Sequence, residues 1–446
     1  MADHAKSDHP AVQAQLDRLA ALSPGRDTLG LERIAALCER LGNPQDKLPP
    51  VFHVAGTNGK GSTCAFLRGA IEAAGLKAHV YSSPHLVRFN ERIRLSGKLI
   101  GDEALAAILS QVLDHAEGLQ ASFFEVTTAA AFLAFSRTPA DACIVEVGLG
   151  GRLDATNIIK KPAVCGIASL GIDHEGFLLA PEEGVPELPS LERIAFEKSG
   201  IAKAGVPLVC QKYTSSMLAE IAKQAMRVGA TLVDRGESWD AASYEGRLHY
   251  RDKAGKLSLP LPRMAGPHQA DNAALAIAML RHQRAIAIPE SALAAAMEWT
   301  RWPARMQRLS PGPLVEALPV GSEVWLDGGH NPDAGAALAK ALESSDELNV
   351  ICGLLKNKDA IGFLRPFAEK IASFQAVPIP GHEHHDPKDL CWWVQEDLGI
   401  TDARPSHSIA DSMQHLAQSK EPVRLLICGS LYLAGEVLKA NAQIPD

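Results

Sequence analysis

Short apolar runs alternate with stretches of helical spacing along most of the chain. VFHV (51–54) leads into a Gly-rich turn and then a helical pattern from Ser62 to Ala74, closed by Gly75. AHVYS (78–82) reads as the next strand, and a helix is expected after Asp102 as its N-cap. ACIVEV (142–147) and AVCGIASL (163–170) are continuous apolar runs with β-branched residues, which suit parallel strands covered on both faces. RLHYRDKAGKLSLPLP (247–262) places two strand-like runs around a Gly-containing turn, predicting an edge hairpin, with a helix following at about 268–282. TRWPARMQR (300–308) has a Pro and few apolar residues and reads as a linker. Beyond it the rhythm restarts with VWLDG (324–328), a helix from about 332, NVICGLL (349–355), a helix from about 359 and RLLICGS (424–430). Strands separated by helices imply βαβ units and an α/β fold, divided near Trp302 into residues 1–301 and 302–446.

Composition narrows the class. With 46% hydrophobic and 22% charged residues, the 446-residue chain looks like an ordinary globular protein of several domains. Its 44 basic against 52 acidic residues give a net charge of −8, which argues against general nucleic-acid binding and a polybasic membrane anchor. No apolar stretch is long enough to span a bilayer, and MADHAKSDHP has no hydrophobic signal core, so a cytoplasmic chain without membrane partners is expected. Eight cysteines without a CxxC pair fit a reducing compartment; Cys143, Cys165, Cys352 and Cys428 lie in apolar runs as small buried hydrophobes.

The strongest local chemistry is VFHVAGTNGKGST (51–63). A strand runs into Gly56, Asn58, Gly59, Lys60 and Gly61, and Ser62-Thr63 opens a helix. Glycines let backbone N–H groups close on phosphate oxygens, and the helix N-terminus adds partial positive charge. Lys60 is placed to reach the β and γ phosphates, and Ser62 or Thr63 to face Mg²⁺. The extra Gly between Lys60 and Ser62 departs from GxxxxGK[ST], and GxGxxG is absent, so a mononucleotide is favoured over a dinucleotide. An N-terminal P-loop nucleotide-binding domain with a mainly parallel sheet, followed by a smaller Rossmann-like α/β domain, is the expected architecture.

A phosphate loop alone leaves kinase, hydrolase and ligase open. GTNGKGS resembles the Mur ligase superfamily of ATP-dependent amide-forming enzymes. TLGLERI (28–34), YSSPHLVRFNERIRL (81–95), FFEVTTAAAF (123–132), VEVGLGGRLDATN (145–157), LGIDHEG (170–176), FEKSGIAK (196–203), QADNAALAIA (269–278), WPARMQ (302–307), LDGGHNPDA (326–334) and CGSLYLAGE (428–436) narrow the resemblance to folylpolyglutamate and dihydrofolate synthases. It runs in order from about residue 25 to 436. The implied reaction makes an acyl phosphate from ATP and a carboxylate, after which the glutamate amine attacks and phosphate leaves. ATP, Mg²⁺ (two ions), L-glutamate and dihydropteroate or a reduced folate are the implied ligands, and a monomer is expected.

The resemblance also assigns residues. Ser83, Glu146 and His174 would hold Mg²⁺; taken alone they read as a turn residue, a strand-end charge and a structural histidine. Lys198 alone reads as a solvated helix lysine, but its motif implies a CO₂-carbamoylated lysine ligating a second Mg²⁺. Lys60, His174, Lys198 and Arg305 are the implied catalytic set. Asn272, Arg305 and Asp327 match nucleotide contacts, Arg305 closing from the linker onto phosphate and Asp327 accepting from the ribose. His330 and Ser430 would help hold glutamate or the folate tail. The pterin-bearing acid would meet Thr28, Leu29, Gly30 and Leu31, then Phe124, Glu125, Thr127 and Thr128, then Leu153, Asp154, Ala155 and Thr156. Phe123 or Phe124 could stack on a flat ring, or serve simply as core.

GGRLDATN looks more like bifunctional enzymes that also glutamylate dihydropteroate than like tail-only synthases. A tail-only synthase, a cell-wall Mur ligase and a nucleotide-binding regulator without catalysis are the alternatives. Three departures stand out: the stretch APEEGVPELPS (180–190), Gly-Gly in LDGGHNP, and Ala304 where Gly is usual. HEHHD (382–386) lies between Pro380 and Pro387 with no frame for a metal and is expected to be a solvated loop.

Overall fold

The computed structural model describes residues 5–22, 29–342 and 347–446. It forms two compact units. The first comprises described residues up to Pro84, Phe89–Arg263 and Gln269–Thr300; the second comprises His85–Arg88, Met264–His268 and Arg301–Asp446.

In the first unit, β1 (Val51–Ala55), β2 (Ala78–Tyr81), β3 (Ile93–Leu95), β4 (Lys98–Leu99), β5 (Ala142–Glu146), β6 (Val164–Ile167), β7 (Pro207–Cys210) and β8 (Thr231–Asp234) make one sheet, ordered β4-β3-β2-β5-β1-β6-β7-β8. Pairing from β2 to β8 is parallel, while β3 and β4 turn antiparallel at one edge. β1 lies between β5 and β6 and is buried along its whole length, as its apolar run requires. One core cluster joins Tyr81, Cys143 and Val145 to helices Pro10–Leu22, Glu32–Arg40, Asp102–Ala116 and Phe123–Arg137. Another joins Ala55, Cys165 and Leu208 to helices Ser190–Ser199 and Ser215–Val228.

The expected hairpin has a third member. β9 (Trp239–Tyr244), β10 (Arg247–Asp252) and β11 (Gly255–Pro260) form a separate antiparallel sheet rather than an edge of the large one.

The second unit carries β12 (Gln307–Arg308), β13 (Glu323–Leu326), β14 (Leu348–Cys352), β15 (Ile371–Ala376), β16 (Ala403–Pro405) and β17 (Arg424–Cys428), ordered β12-β13-β17-β14-β15-β16. All pairs are parallel except β12 with β13. Successive side chains serve opposite faces: Leu425 and Ile427 join one core cluster, Leu426 and Cys428 the other. A strand buried on both faces reads as a continuous apolar run for this reason. The protein is therefore α/β, with a larger mainly parallel sheet and a smaller mixed one.

Candidate functional site

The phosphate loop leaves the carboxyl end of β1, where ligands gather in sheets of this kind. Gly59 caps the helix Lys60–Ala73 at φ 83°, and a β-carbon there would stand 2.3 Å from Asn272 Oδ1, so only glycine lets Asn272 approach. The loop is also held from outside. Thr57 N–H donates to Ser169 O at 2.7 Å, Thr57 Oγ1 donates to Gly171 O at 2.8 Å, and Gly171 N–H donates back to Thr57 Oγ1 at 3.1 Å. Lys60 Nζ folds over the loop onto Gly56 O (3.1 Å) and Thr57 O (3.3 Å). Ser62 and Thr63 are fully buried, and their hydroxyls meet no hydrogen-bond partner among the described residues. Two orphaned hydroxyls at a helix start, beside a lysine and bare glycine backbone, suit a metal-bound triphosphate, so these residues fit ATP and Mg²⁺.

Ser83 N–H donates to Glu146 Oε2 at 3.3 Å, which joins two of the expected metal-site residues; Glu146 ends β5 and is 5% exposed. His174 has φ 54°, an uncommon conformation for a non-glycine residue, and its N–H donates to Asp173 Oδ1 at 2.8 Å. Among the described residues, no three His, Cys, Asp or Glu side chains group to hold a metal; of the four expected ligands only Glu146 and His174 are of those types.

Lys198 is not a solvated helix lysine. It sits in the last turn of Ser190–Ser199 at 5% exposure. Burial pushes its ammonium down to about 7, and nearby Lys60 pushes the same way against Asp173, Asp154 and Glu197. Bare backbone makes this possible: a β-carbon on Gly151 would stand 2.9 Å from the carbonyl oxygens of Glu197 and Lys198. The flanking charges form a tight set. Arg152 pairs with Glu197 through Nε (3.1 Å) and Nη2 (3.0 Å), Arg193 reaches the same carboxylate at 2.9 Å, and Glu182, within 180–190, meets both arginines. The uncommon stretch 180–190 is thus anchored to the segment bearing Lys198.

The expected pterin segments separate by what their polar atoms do. Thr28 lies outside the described residues; Leu29, Gly30 and Leu31 lead half-buried into the helix Glu32–Arg40. Glu125 closes a capping box with Ser122 and accepts from Arg33 Nε at 3.0 Å, while its buried Oε1 has no partner among the described residues. Thr127 donates to Phe123 O, and Thr128 meets Tyr81 OH at 3.0 Å. Phe124 is half-buried with its ring against Gly148, where a β-carbon would stand 2.3 Å from Cζ. Phe123 is core, 7% exposed. Leu153 is half-exposed, whereas Asp154, Ala155 and Thr156 are buried, and Asp154 accepts Leu149 N–H and Thr156 N–H.

In the second unit, Asp327 accepts Met306 N–H on one oxygen and Gly329 N–H on the other, both at 2.7 Å. It holds the turn containing Ala304 (φ 54°) and Met306 (φ 42°), where Arg305 Nη1 donates to Ala304 O. His330 Nδ1 lies 2.9 Å from Gly328 O, and Ser430 caps Leu431–Ala440 by accepting Tyr432 N–H. HEHHD is a half-exposed loop, in which His382 stacks on Tyr432 at 3.8 Å and His385 meets Lys358 O at 2.8 Å.

Asp173, Glu197, Arg152 and His53 join these clusters without an expected role from the sequence. The first two adjoin recognised motif residues, and His53 is the one polar residue in an otherwise apolar strand, a signal in itself.

Comparison with known proteins agrees with this architecture. Residues 319–440 match the family model described as dihydrofolate synthetase, C-terminal domain. The dihydrofolate synthase/folylpolyglutamate synthase of Escherichia coli K12 is 33% identical over 92% of this chain and 91% of its own length. Escherichia coli FolC in complex with DHPP and ADP superposes with a TM-score of 0.83 at 32% identity, covering 97% of both chains. The bifunctional synthase of Yersinia pestis, complexed with AMPPNP and Mn, gives 0.82 at 29% identity over 96% of this chain and 97% of its own. The chain belongs to the dihydrofolate synthase/folylpolyglutamate synthase family.

Proposed function

We propose that this protein is an ATP-dependent ligase that adds L-glutamate to dihydropteroate, giving dihydrofolate, and to the glutamate tail of reduced folates. The observation that carries the reading is the phosphate loop with two orphaned hydroxyls, set in a unit that also buries Lys198 under the influence of Lys60. Relatives that bear both activities in their names support the dual reading. Asn58, Gly59, Gly61 and Asn272 bind the nucleotide beside Lys60, which draws charge from the β and γ phosphates as the γ-phosphoryl passes to the substrate carboxylate. The glutamate amine then attacks the acyl carbon, the new C–N bond forms as nitrogen gives up a proton, and the C–O bond breaks with its electron pair going to the departing phosphate. Mg²⁺ supplies charge neutralisation at the phosphates when bound. Ser62 or Thr63, Ser83, Glu146 and His174 are the residues to hold it. Lys198, neutral in part near pH 7, is suited to add CO₂ and lose a proton, becoming a carbamate with the hard oxygen that Mg²⁺ prefers.

We assign nucleotide binding to the first unit. To the second we assign contacts from Arg305 and Asp327 to nucleotide and from His330 and Ser430 to glutamate or the folate tail. The protein acts as a monomer in the cytosol on this reading; among the described residues no helix is long and apolar enough to cross a membrane, and all eight cysteines are buried and free. The test is phosphate release from ATP with dihydropteroate plus glutamate, then with tetrahydrofolate plus glutamate. Turnover with both is expected. Turnover with tetrahydrofolate alone makes it a tail-only synthase, and turnover with neither overturns the reading.

A further inference from the structure

His53 lies in the middle of β1, fully buried, three residues before the phosphate loop begins at Gly56. Its Nε2 is 2.8 Å from Thr156 Oγ1, and Thr156 Oγ1 in turn donates to Asp154 Oδ1. All three side chains are nearly or wholly inaccessible, at 0%, 0% and 2% exposure. Asp154 takes further N–H bonds from Thr156 at 3.0 Å and Leu149 at 2.8 Å, so this carboxylate shapes the 149–156 loop.

The direction of the chain follows from one atom. His53 Nδ1 meets no partner among the described residues. A hydrogen there would be a buried, orphaned N–H, which folds rarely tolerate, whereas a bare ring nitrogen is tolerated more readily. The proton therefore sits on Nε2. Thr156 has a single hydroxyl proton, and with its oxygen accepting from Nε2–H that proton points to Asp154. The order is Nε2–H to Oγ1–H to Oδ1. Burial and the Lys203 charge hold the ring's pKa down to about 3, so the imidazole stays neutral at ordinary pH; burial raises the Asp154 carboxyl, while the hydrogen bonds it accepts from Thr156 and Leu149 favour its charged, accepting form.

We propose that His53 is a positioning residue for the acid substrate: its Nε2–H orients the Thr156 hydroxyl onto Asp154 and so fixes the 149–156 loop from the strand that delivers the phosphate loop. The proposal rests on the ligase reading only in what the loop binds. It makes one strand responsible for both substrates, the phosphate loop by its backbone and the acid-side loop by His53.

The test uses full-length protein. His53→Met removes the donor at similar volume, and His53→Gln restores an N–H near the Nε2 position. His53→Met is expected to raise KM for dihydropteroate about tenfold, as for loss of one buried hydrogen bond, with KM for ATP changed by less than about twofold. His53→Gln should recover most of the loss. Independently of turnover, ¹⁵N-histidine NMR should show a neutral Nε2–H ring, absent from His53→Gln and unchanged between about pH 6 and 8. A Nδ1–H tautomer, an unchanged KM for dihydropteroate in His53→Met, or parallel rises in both KM values would overturn the proposal. If wild type turns over neither dihydropteroate nor folate, the ligase reading has failed, and the tautomer alone decides the hydrogen-bond order.

Discussion

In the first unit, the hydroxyls of Ser62 and Thr63 are buried with no partner among the described residues, and Lys198 is buried where another lysine opposes its charge. In the second, Asp327 and Ser430 are also buried, but each accepts from the backbone: Asp327 ties Met306 to Gly329, and Ser430 starts a helix. The first set is energetically incomplete without a ligand, and the second is complete as folded. Buried polar groups without partners are costly, so a fold keeps them where something else supplies the partner. A role in binding thus has physical support of its own at Ser62 and Thr63, and Lys198 adds a buried ammonium whose charge burial disfavours. At Asp327 and Ser430 it must come in addition to a structural role.

The contrast breaks most readily at Lys60. Lys60→Ala removes a cation and two part-exposed hydrogen bonds but no core volume, so activity should fall by roughly 100- to 1000-fold while the protein stays folded with a cooperative melting curve. Near-normal turnover in the folded variant would remove the phosphate loop from the comparison. Lys198 gives a pH test. Its folded pKa of about 7 lies below the unfolded lysine value, so the unfolded chain binds more protons between the two. The penalty for burying the ammonium is therefore full below about pH 7 and fades as pH rises towards the unfolded value of about 10.4. In CO₂-free buffer, Lys198→Met should stabilise the protein near pH 6 and lose that advantage near pH 10, while losing most activity. Denaturant midpoints across that range check the sign.

Smaller effects sharpen the second unit. Asp327→Ala leaves two backbone N–H groups without their acceptor and should cost about 1–3 kcal/mol in stability. A rise in KM for ATP without that loss would restore a purely ligand-binding aspartate. Ser430→Ala should cost about 1 kcal/mol as a lost N-cap. Ser62→Ala, removing an orphaned hydroxyl, should change stability by less than about 0.5 kcal/mol while still lowering activity. Equal stability losses in the two serine variants would erase the distinction.

The alternating α/β rhythm was legible because strands such as RLLIC are buried on both faces and carry no polar interruption. The helix Phe123–Arg137 was not, because it is buried on nearly every side and so has little of the one-sided period that marks a surface helix. β9 escaped notice because WDAASY is half exposed and only weakly apolar. The phosphate loop could be read since its chemistry lies within a dozen contiguous residues. The burial of Lys198 could not, because it arises from tertiary packing, in which Gly151, far away in the chain, lies against the Lys198 backbone. Asp173 acts on that lysine from a separate segment of the chain, which sequence order does not show.

The bracing of Thr57 by Ser169 and Gly171 has a bearing on protein engineering. The hydroxyl of Thr57 and the carbonyl of Gly171 are 114 positions apart, yet each helps set the loop's curvature. A graft carrying only residues 51–75 into a foreign scaffold would bring the signature and lose the shape. A transplant that includes the end of β6 and the Ser169–Gly171 segment would carry both. The smallest portable phosphate-binding module of this protein is therefore discontinuous in sequence.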